Sequence, residues 1–262
     1  MVLDKQIHLG PVWGVGAVRP GEFAALIAAR AGLDSPAGVA GWELALYDLT
    51  PARVLGADGS LLASGRLDNQ VSCWAATAAL AGAEPDHVVG VIALFDHEEV
   101  GSESETGAAG PLLGRTLERL VLAAGGDRDD YLRALAASTC VSADNAHAVH
   151  PNYPERHEPG HRPMVNAGPA LKTNVNQRYA TSAPTAALFR RCCLAAGVPV
   201  QSFVSRNNVA CGSTIGPVTA TRLGIATVDV GVPQLSMHSA RELCGVDDPG
   251  FLALALRAYF AD

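Results

Sequence analysis

The chain has 262 residues, 48% hydrophobic and 17% charged, so it can bury a sizeable core in one or two domains. Its formal net charge of −7 comes without any cluster of Lys and Arg, which argues against nucleic acid as a partner. No apolar run approaches the roughly 20 residues that span a bilayer, and the first residues lack the pattern of a secretory signal. We therefore expect no membrane partner and a cytoplasmic location.

The first 57 residues predict little regular structure. Turn-forming residues surround one short helix at 22–31 and one strand-like run at 42–47. This is thin for an independent domain, so we place a domain boundary at about residue 57.

From residue 66 onward, strand-like and helix-like segments alternate, which predicts an α/β fold with a sheet covered by helices on both faces. The predicted strands lie at 88–95, 140–142, 200–204 and 226–230. The predicted helices lie at 70–80, 112–124, 184–195, 217–223 and 251–260. Residues 151–169, rich in Pro, His, Gly and Glu, predict a long irregular loop of the kind that is commonly functional.

Carboxylates stand at the ends of these segments, where α/β folds gather ligands. Asp68 precedes the helix at 70–80, a position that a helix N-cap would also explain. Glu98 and Glu99 follow the apolar run 88–95, and adjacent carboxylates repel each other unless a cation or a proton lies between them. One of the pair could bind a metal while its neighbour takes a proton from water, although a solvated turn explains them too.

Two later positions add to this pattern. Asp144 follows the strand at 140–142 and lies close to two histidines, and His238 follows the strand at 226–230. A solvated loop or a structural hydrogen bond could account for either residue alone. Together, the carboxylates and the late histidine suit two divalent cations about 3.5 to 4 Å apart that share one carboxylate.

Several motifs resemble the aspartyl aminopeptidase family of zinc metallopeptidases, in the order that the family has them. They are Arg66-Leu67-Asp68-Asn69, the segments 96–102 and 142–153, Asn176-Gln177-Arg178-Tyr179-Ala180, Arg206-Asn207, and the segments 211–217 and 233–239. The resemblance covers residues 6 to 262. It implies a zinc aminopeptidase-like fold, with a mixed sheet flanked by helices on both faces.

The resemblance also implies roles for the metal-site residues. Asp68 would bridge two zinc ions, Glu99 and His238 would complete one zinc site, and Asp144 would serve the other. Glu98 would be the general base that moves a proton from the attacking water to the leaving amine.

Substrate contacts follow from the same resemblance. The family favours acidic N-terminal residues, and its substrate lysine matches Lys172 in Gly168-Pro169-Ala170-Leu171-Lys172, so Lys172 could pair with a substrate carboxylate. His147 and Tyr179 match positions that line the active site and could stabilise an oxyanion.

One family motif is missing. Nothing in the chain matches the early His-Thr-Asp-Ser-Pro-like segment, whose histidine completes the zinc site served by Asp144. We therefore expect that site to be weakened and the activity impaired. Residues 1–57 would be the remnant of an inserted dimerisation domain, and residues 58–262 a catalytic domain without its N-terminal part. A fragment, a mis-started reading frame and a degenerate paralogue remain open.

The family typically forms dodecamers, so we expect a homo-oligomer that acts on peptides. Two alternatives stay open. One is an N-acyl amino acid deacylase or another dinuclear-zinc hydrolase, which would share the ligands but bind a blocked amine. The other is a non-catalytic oligomeric scaffold protein.

Overall fold

The computed structural model describes residues 2–17 and 19–261 and divides the chain into two compact units, residues 1–46 and 47–262. The first unit contains the helices α1 (Lys5–His8) and α2 (Glu22–Arg30). Phe23 of α2 makes edge-to-face ring contacts with Trp13 and Trp42. The predicted helix at 22–31 is thus confirmed, whereas its origin in a dimerisation domain stays a prediction.

The second unit is an α/β fold, as predicted. Its helices are α3 (Leu67–Ala81), α4 (Leu112–Ala123), α5 (Arg128–Ala137), α6 (Ala183–Ala195), α7 (Ile215–Leu223) and α8 (Asp248–Ala261). Its strands are β1 (Arg53–Leu55), β2 (Leu61–Ser64), β3 (Thr139–Ala143), β4 (Ala146–His147), β5 (Ala170–Thr173), β6 (Gln201–Val204), β7 (Ala226–Gly231), β8 (Pro233–Leu235) and β9 (Glu242–Gly245). All five predicted helices and three of the four predicted strands of this region are confirmed, with ends that shift by a few residues.

The strands form two sheets. One has the order β1-β2-β9-β8-β4, and the other has the order β3-β7-β5-β6. Strand β7 pairs in parallel with β3 but antiparallel with β5, so the second sheet is mixed.

Helices cover both faces of the second sheet. Alternate residues of β7 point to these two opposite faces. Val228 and Val230 belong to the main apolar core, which also contains residues of α3, α6 and α8. Asp229 lies on the opposite face, where its carboxylate reaches the N-terminal end of α7. The main core therefore lies under the helices α3, α6 and α8.

Two chain segments run from one sheet into the other, and this crossing positions the site described below. Strand β3 continues into β4, and β7 continues into β8, and the two segments stay parallel throughout. Gly231 lies at the crossing, where a Cβ atom would collide with the backbone carbonyl oxygen of Asp144. A glycine is therefore required for the two segments to approach this closely.

Two predicted strands are wrong. Residues 42–47 are irregular and largely exposed. Residues 88–95 form no strand with any described part of the chain, and Val88, Val89 and Leu94 are exposed. An apolar run favours a strand only where another strand accepts and donates its backbone hydrogen bonds, and no described strand pairs with this one.

The loop at 151–169 is irregular apart from one short 3₁₀ turn at Pro154–Arg156, as expected. In the described part of the chain, every helix is too short or too polar to cross a membrane.

Candidate metal centre

Asp68 lies in the first turn of α3, and its surroundings tie this turn to the end of β3. The amide of Asn145 donates to the backbone carbonyl of Leu67 at 2.9 Å and lies 3.5 Å from the carboxylate of Asp68. The amide of Asn69 donates to the backbone carbonyl of Ala143, also at 2.9 Å. These hydrogen bonds hold the Asp68 carboxylate next to the point where the two chain segments pass from one sheet to the other.

Glu98 and Glu99 lie in a 3₁₀ turn, Glu98–Val100, which follows shortly after the apolar run 88–95. The turn is flanked by His97 and Gly101, both with left-handed backbone conformations, at φ of 62° and 105°. A glycine at position 101 favours a sharp turn here, because glycine adopts a positive φ without steric cost. The turn directs the two adjacent carboxylates toward the same cavity.

His238 joins this group from the other side, three residues after β8. Its Nε2 atom lies 3.2 Å from Oδ2 of Asp68 and 3.2 Å from Oε2 of Glu99. One ligand atom from each of these three residues lies within 4.8 Å of the others. The three residues come from distant parts of the sequence, so only the fold brings the group together.

The three residues fit a zinc ion in both donor type and spacing. Zinc binds imidazole and carboxylate at roughly 2.0 to 2.1 Å in tetrahedral geometry, which places neighbouring ligand atoms roughly 3.3 Å apart. The two observed separations of 3.2 Å match this spacing. Among the described residues, this is the single group of three or more His, Cys, Asp and Glu side chains placed to hold a metal ion.

The electrostatics of the group indicate a site that favours a cation. Burial and the nearby carboxylates, first Asp144 and then Glu99 and Glu242, raise the pKa of Asp68 to about 9. Burial and the carboxylates of Asp144 and Glu99 likewise raise the pKa of Glu98 to about 7. Carboxylates held this close resist ionisation unless positive charge compensates them.

Asp144 follows β3 and pairs with a lysine. The Nζ atom of Lys172, on β5, lies 3.3 Å from Oδ2 of Asp144, and the lysine side chain is almost fully buried. Nζ also lies 5.3 Å from the centre of the Tyr179 ring, a cation–π distance. Asp144 therefore reaches both Asp68 and a buried cation, but it belongs to no group of three metal-binding side chains in the described chain.

Further polar groups line the same cavity, whose volume is about 660 Å³. His147, at the end of β4, faces it, and partial desolvation of the ring together with the charge of Lys172 lowers the pKa of this imidazole. Tyr179 is buried, which raises the pKa of its phenol. The eight predicted site residues thus line one cavity.

Sequence reasoning missed two buried carboxylates that support this cavity. Glu242 accepts hydrogen bonds from the backbone N–H groups of Asp68 and His238. Asp229 accepts hydrogen bonds from the backbone N–H of Ala180 and from the hydroxyl of Thr214. No local pattern marks either residue, because both lie in strands and, apart from His238 near Glu242, their partners are distant in sequence.

Comparisons with known proteins identify the family of the chain. Residues 16–260 match the family described as aminopeptidase I zinc metalloprotease, M18. The chain is 54% identical over 263 residues to the probable M18 family aminopeptidase 2 of Streptomyces coelicolor, covering 98% of this chain and 60% of that protein. The corresponding protein of Mycobacterium leprae is also 54% identical, over 100% of this chain and 61% of its own length. The chain therefore spans about 60% of the length of these relatives.

Among solved structures, the chain is similar to the mApe1 dodecamer of Saccharomyces cerevisiae. The TM-score is 0.80 at 30% sequence identity, over 91% of this chain and 54% of that one. The helix and strand arrangement described above is thus the arrangement of a known fold.

Proposed function

Because the chain belongs to the M18 family of aminopeptidase I zinc metalloproteases, we propose that it carries the chemistry for zinc-dependent removal of N-terminal acidic residues from peptides. One observation carries this proposal: His238 lies 3.2 Å from the carboxylates of both Asp68 and Glu99, at the spacing of zinc ligands. Glu98, next to Glu99, supplies a base at the same place.

Asp68, Glu99 and His238 would hold one zinc ion, and Asp68 and Asp144 would hold a second. The second site has only two protein ligands, and the Lys172 ammonium beside Asp144 opposes a cation there. We therefore propose one strong and one weakened zinc site, with impaired activity in the isolated chain. When bound, zinc lowers the pKa of a water molecule and polarises a carbonyl group.

Glu98 would act as general base and then as general acid. In the metal-free chain its pKa is about 7, and a group near the working pH can accept a proton from the attacking water and release it to the leaving amine. Its partial burial keeps the carboxylate from strong hydration. Neighbouring Glu99 remains available as a metal ligand.

Lys172 would bind the acidic side chain of the substrate. It is a buried cation on the cavity wall, and a carboxylate that enters the cavity gains a charge-assisted hydrogen bond there. Tyr179 keeps its proton at neutral pH, as an ordinary phenol does, and burial raises its pKa further, so it can donate to an oxyanion. His147, whose pKa is lowered, would be a neutral donor at the same pH.

The dodecamer formed by the similar yeast protein supports a homo-oligomer for this chain as well. We also propose a cytoplasmic location. Both proposals concern the longer protein that the relatives represent, of which this chain spans about 60%.

The test is hydrolysis by the purified, zinc-loaded chain of an aspartyl anilide with a free amine and of its N-acetyl derivative. An aminopeptidase cleaves the free amine and spares the blocked one. The reverse preference would identify a deacylase. Failure to cleave either substrate, together with oligomers that persist in a chelator, would favour a scaffold protein.

Metal analysis completes the test. We expect one tightly held zinc ion per chain and a second that dialysis removes. The His238→Ala variant should lose the tight ion, and the exposed control His87→Ala should keep it. Two tightly held ions in the parent chain would refute the weakened site.

A further inference from the structure

Glu242 is a buried carboxylate that joins two of the proposed zinc ligands. It lies at the start of β9 and is 2% exposed. Its Oε2 atom accepts the backbone N–H of Asp68 at 2.8 Å, and its Oε1 atom accepts the backbone N–H of His238 at 2.7 Å. We propose that Glu242 is a positioning residue of the metal site, which sets the separation between the ligand atoms of Asp68 and His238.

The backbone at His238 needs such a restraint. Its φ is 63°, a left-handed conformation that is unfavourable for a residue with a Cβ atom and persists only where its surroundings impose it. The hydrogen bond to Glu242 fixes the N–H of this residue in that conformation. The imidazole then points back toward Asp68 and Glu99.

Glu242 itself is held rigidly. Strand β9 pairs antiparallel with β2, and Ser64 lies directly opposite Glu242 in this pairing. Strand β2 ends at Ser64, shortly before Asp68. The pairing of β2 with β9 therefore places the Glu242 carboxylate near the backbone N–H of Asp68 that it accepts. A shift of Glu242 would move the N–H of Asp68 relative to that of His238.

The charge of Glu242 also indicates a role beyond packing. A carboxylate at this position lies beside Asp68 and repels the Asp68 carboxylate when no cation is bound. A neutral acceptor would hold a backbone N–H without this repulsion. A carboxylate is favoured at this position when a divalent cation compensates its charge. Replacing a hydrogen-bond partner of a metal ligand typically lowers metal affinity about 10-fold to 100-fold.

This inference rests on the proposed zinc site, and its test measures metal binding instead of turnover. The probes are Zn²⁺, titrated against a chromogenic chelator, and Co²⁺, followed by its visible absorption. The variants are Glu242→Gln, which keeps the size of the side chain, and Glu242→Asp, which keeps the charge but is one methylene shorter. The matched control is Asp248→Asn.

Asp248 is a suitable control because it is another fully buried carboxylate that accepts backbone hydrogen bonds. Its partners are the N–H groups of Asn166, Gly168 and Gly245, none of which belongs to the metal site. Replacing it should lower the Tm without moving the ligands. The comparison separates loss of stability from loss of ligand position.

We expect both Glu242 variants to bind Zn²⁺ at least about 10-fold more weakly than the parent and to change the Co²⁺ spectrum. Asp248→Asn should keep the parent affinity despite a lower Tm. Parent-like affinity in either folded Glu242 variant, or an equal loss in Asp248→Asn, would overturn this inference but leave the proposed function standing. A parent chain that binds no Zn²⁺ would overturn the proposed function and this inference with it.

Discussion

The ammonium group of Lys172 lies 3.3 Å from the carboxylate of Asp144, with the lysine side chain 3% exposed. A cation buried this deeply must be paired, and here its partner is a proposed metal ligand. Lys172 can therefore either neutralise Asp144 or bind an acidic substrate. Replacing Lys172 separates these two roles.

Replacing Lys172 with Gln should reduce selectivity for acidic ligands. Loss of a charge-assisted hydrogen bond worth about 1.5 to 3 kcal/mol lowers affinity roughly 10-fold to 100-fold. Calorimetry on the zinc-loaded chain would compare L-aspartate hydroxamate with L-leucine hydroxamate. Only the aspartate compound should weaken, and the exposed control Lys5→Gln should bind both like the parent. Equal weakening of both compounds would mean that Lys172 acts through Asp144.

Replacing Glu98 with Gln should abolish turnover while zinc content stays unchanged. An amide cannot accept the proton, and loss of a general base lowers kcat/KM about 10²-fold to 10⁴-fold. Parent activity should fall at acid pH because protonation inactivates Glu98, and the midpoint should lie below the metal-free pKa of about 7 because a bound cation favours the carboxylate. The exposed Glu103→Gln, on the same loop, is the control. Residual turnover near the parent level would assign the base elsewhere.

Replacing Asp68 with Asn should stabilise the metal-free chain at high pH. The folded pKa of about 9 is raised, so the stability contributed by protonated Asp68 is complete below its unfolded pKa near 4 and is lost as the pH rises through 9. The amide side chain of the variant cannot ionise, so the variant escapes this loss. In a chelator, the Tm difference between variant and parent should grow from pH 5 to pH 8.

Excess zinc should reverse this order, because the cation stabilises ionised Asp68 in the parent but not the amide. The exposed Glu84→Gln serves as control, with a Tm difference independent of pH. Parallel Tm curves for Asp68→Asn and parent would show that Asp68 is already ionised in the metal-free chain.

Replacing Asp229 with Asn should destabilise the fold. The carboxylate is fully buried and accepts hydrogen bonds of 2.6 Å from Ala180 and from Thr214, and an amide nitrogen would face one of these donors. The free energy of unfolding should fall by about 1 to 3 kcal/mol in urea denaturation. Asp58→Asn, which alters an exposed turn, should leave it nearly unchanged. An unchanged midpoint for Asp229→Asn would contradict the role of this carboxylate.

Five helices of residues 66–260 could be predicted because their signals are local, whereas α5 was not predicted. The apolar period of α3 and the Ser182 cap of α6 operate within a few residues of sequence. The strand at 88–95 was predicted wrongly because a strand depends on a partner elsewhere in the chain, which a local apolar run does not reveal. Glu242 was missed for a related reason, since a lone carboxylate in a strand does not reveal which backbone groups the fold brings to it.

The sequence by itself determined which ligand-type side chains exist, their order along the chain, and the family that their motifs resemble. Only the tertiary structure decided that His238 lies 3.2 Å from both Asp68 and Glu99, and that Asp68 is buried enough for its pKa to rise. The physical reason is that these distances depend on the pairing of β3 with β7 and of β2 with β9, which join segments far apart in the chain. Side-chain chemistry is a property of single residues, whereas spacing and burial are properties of the folded chain.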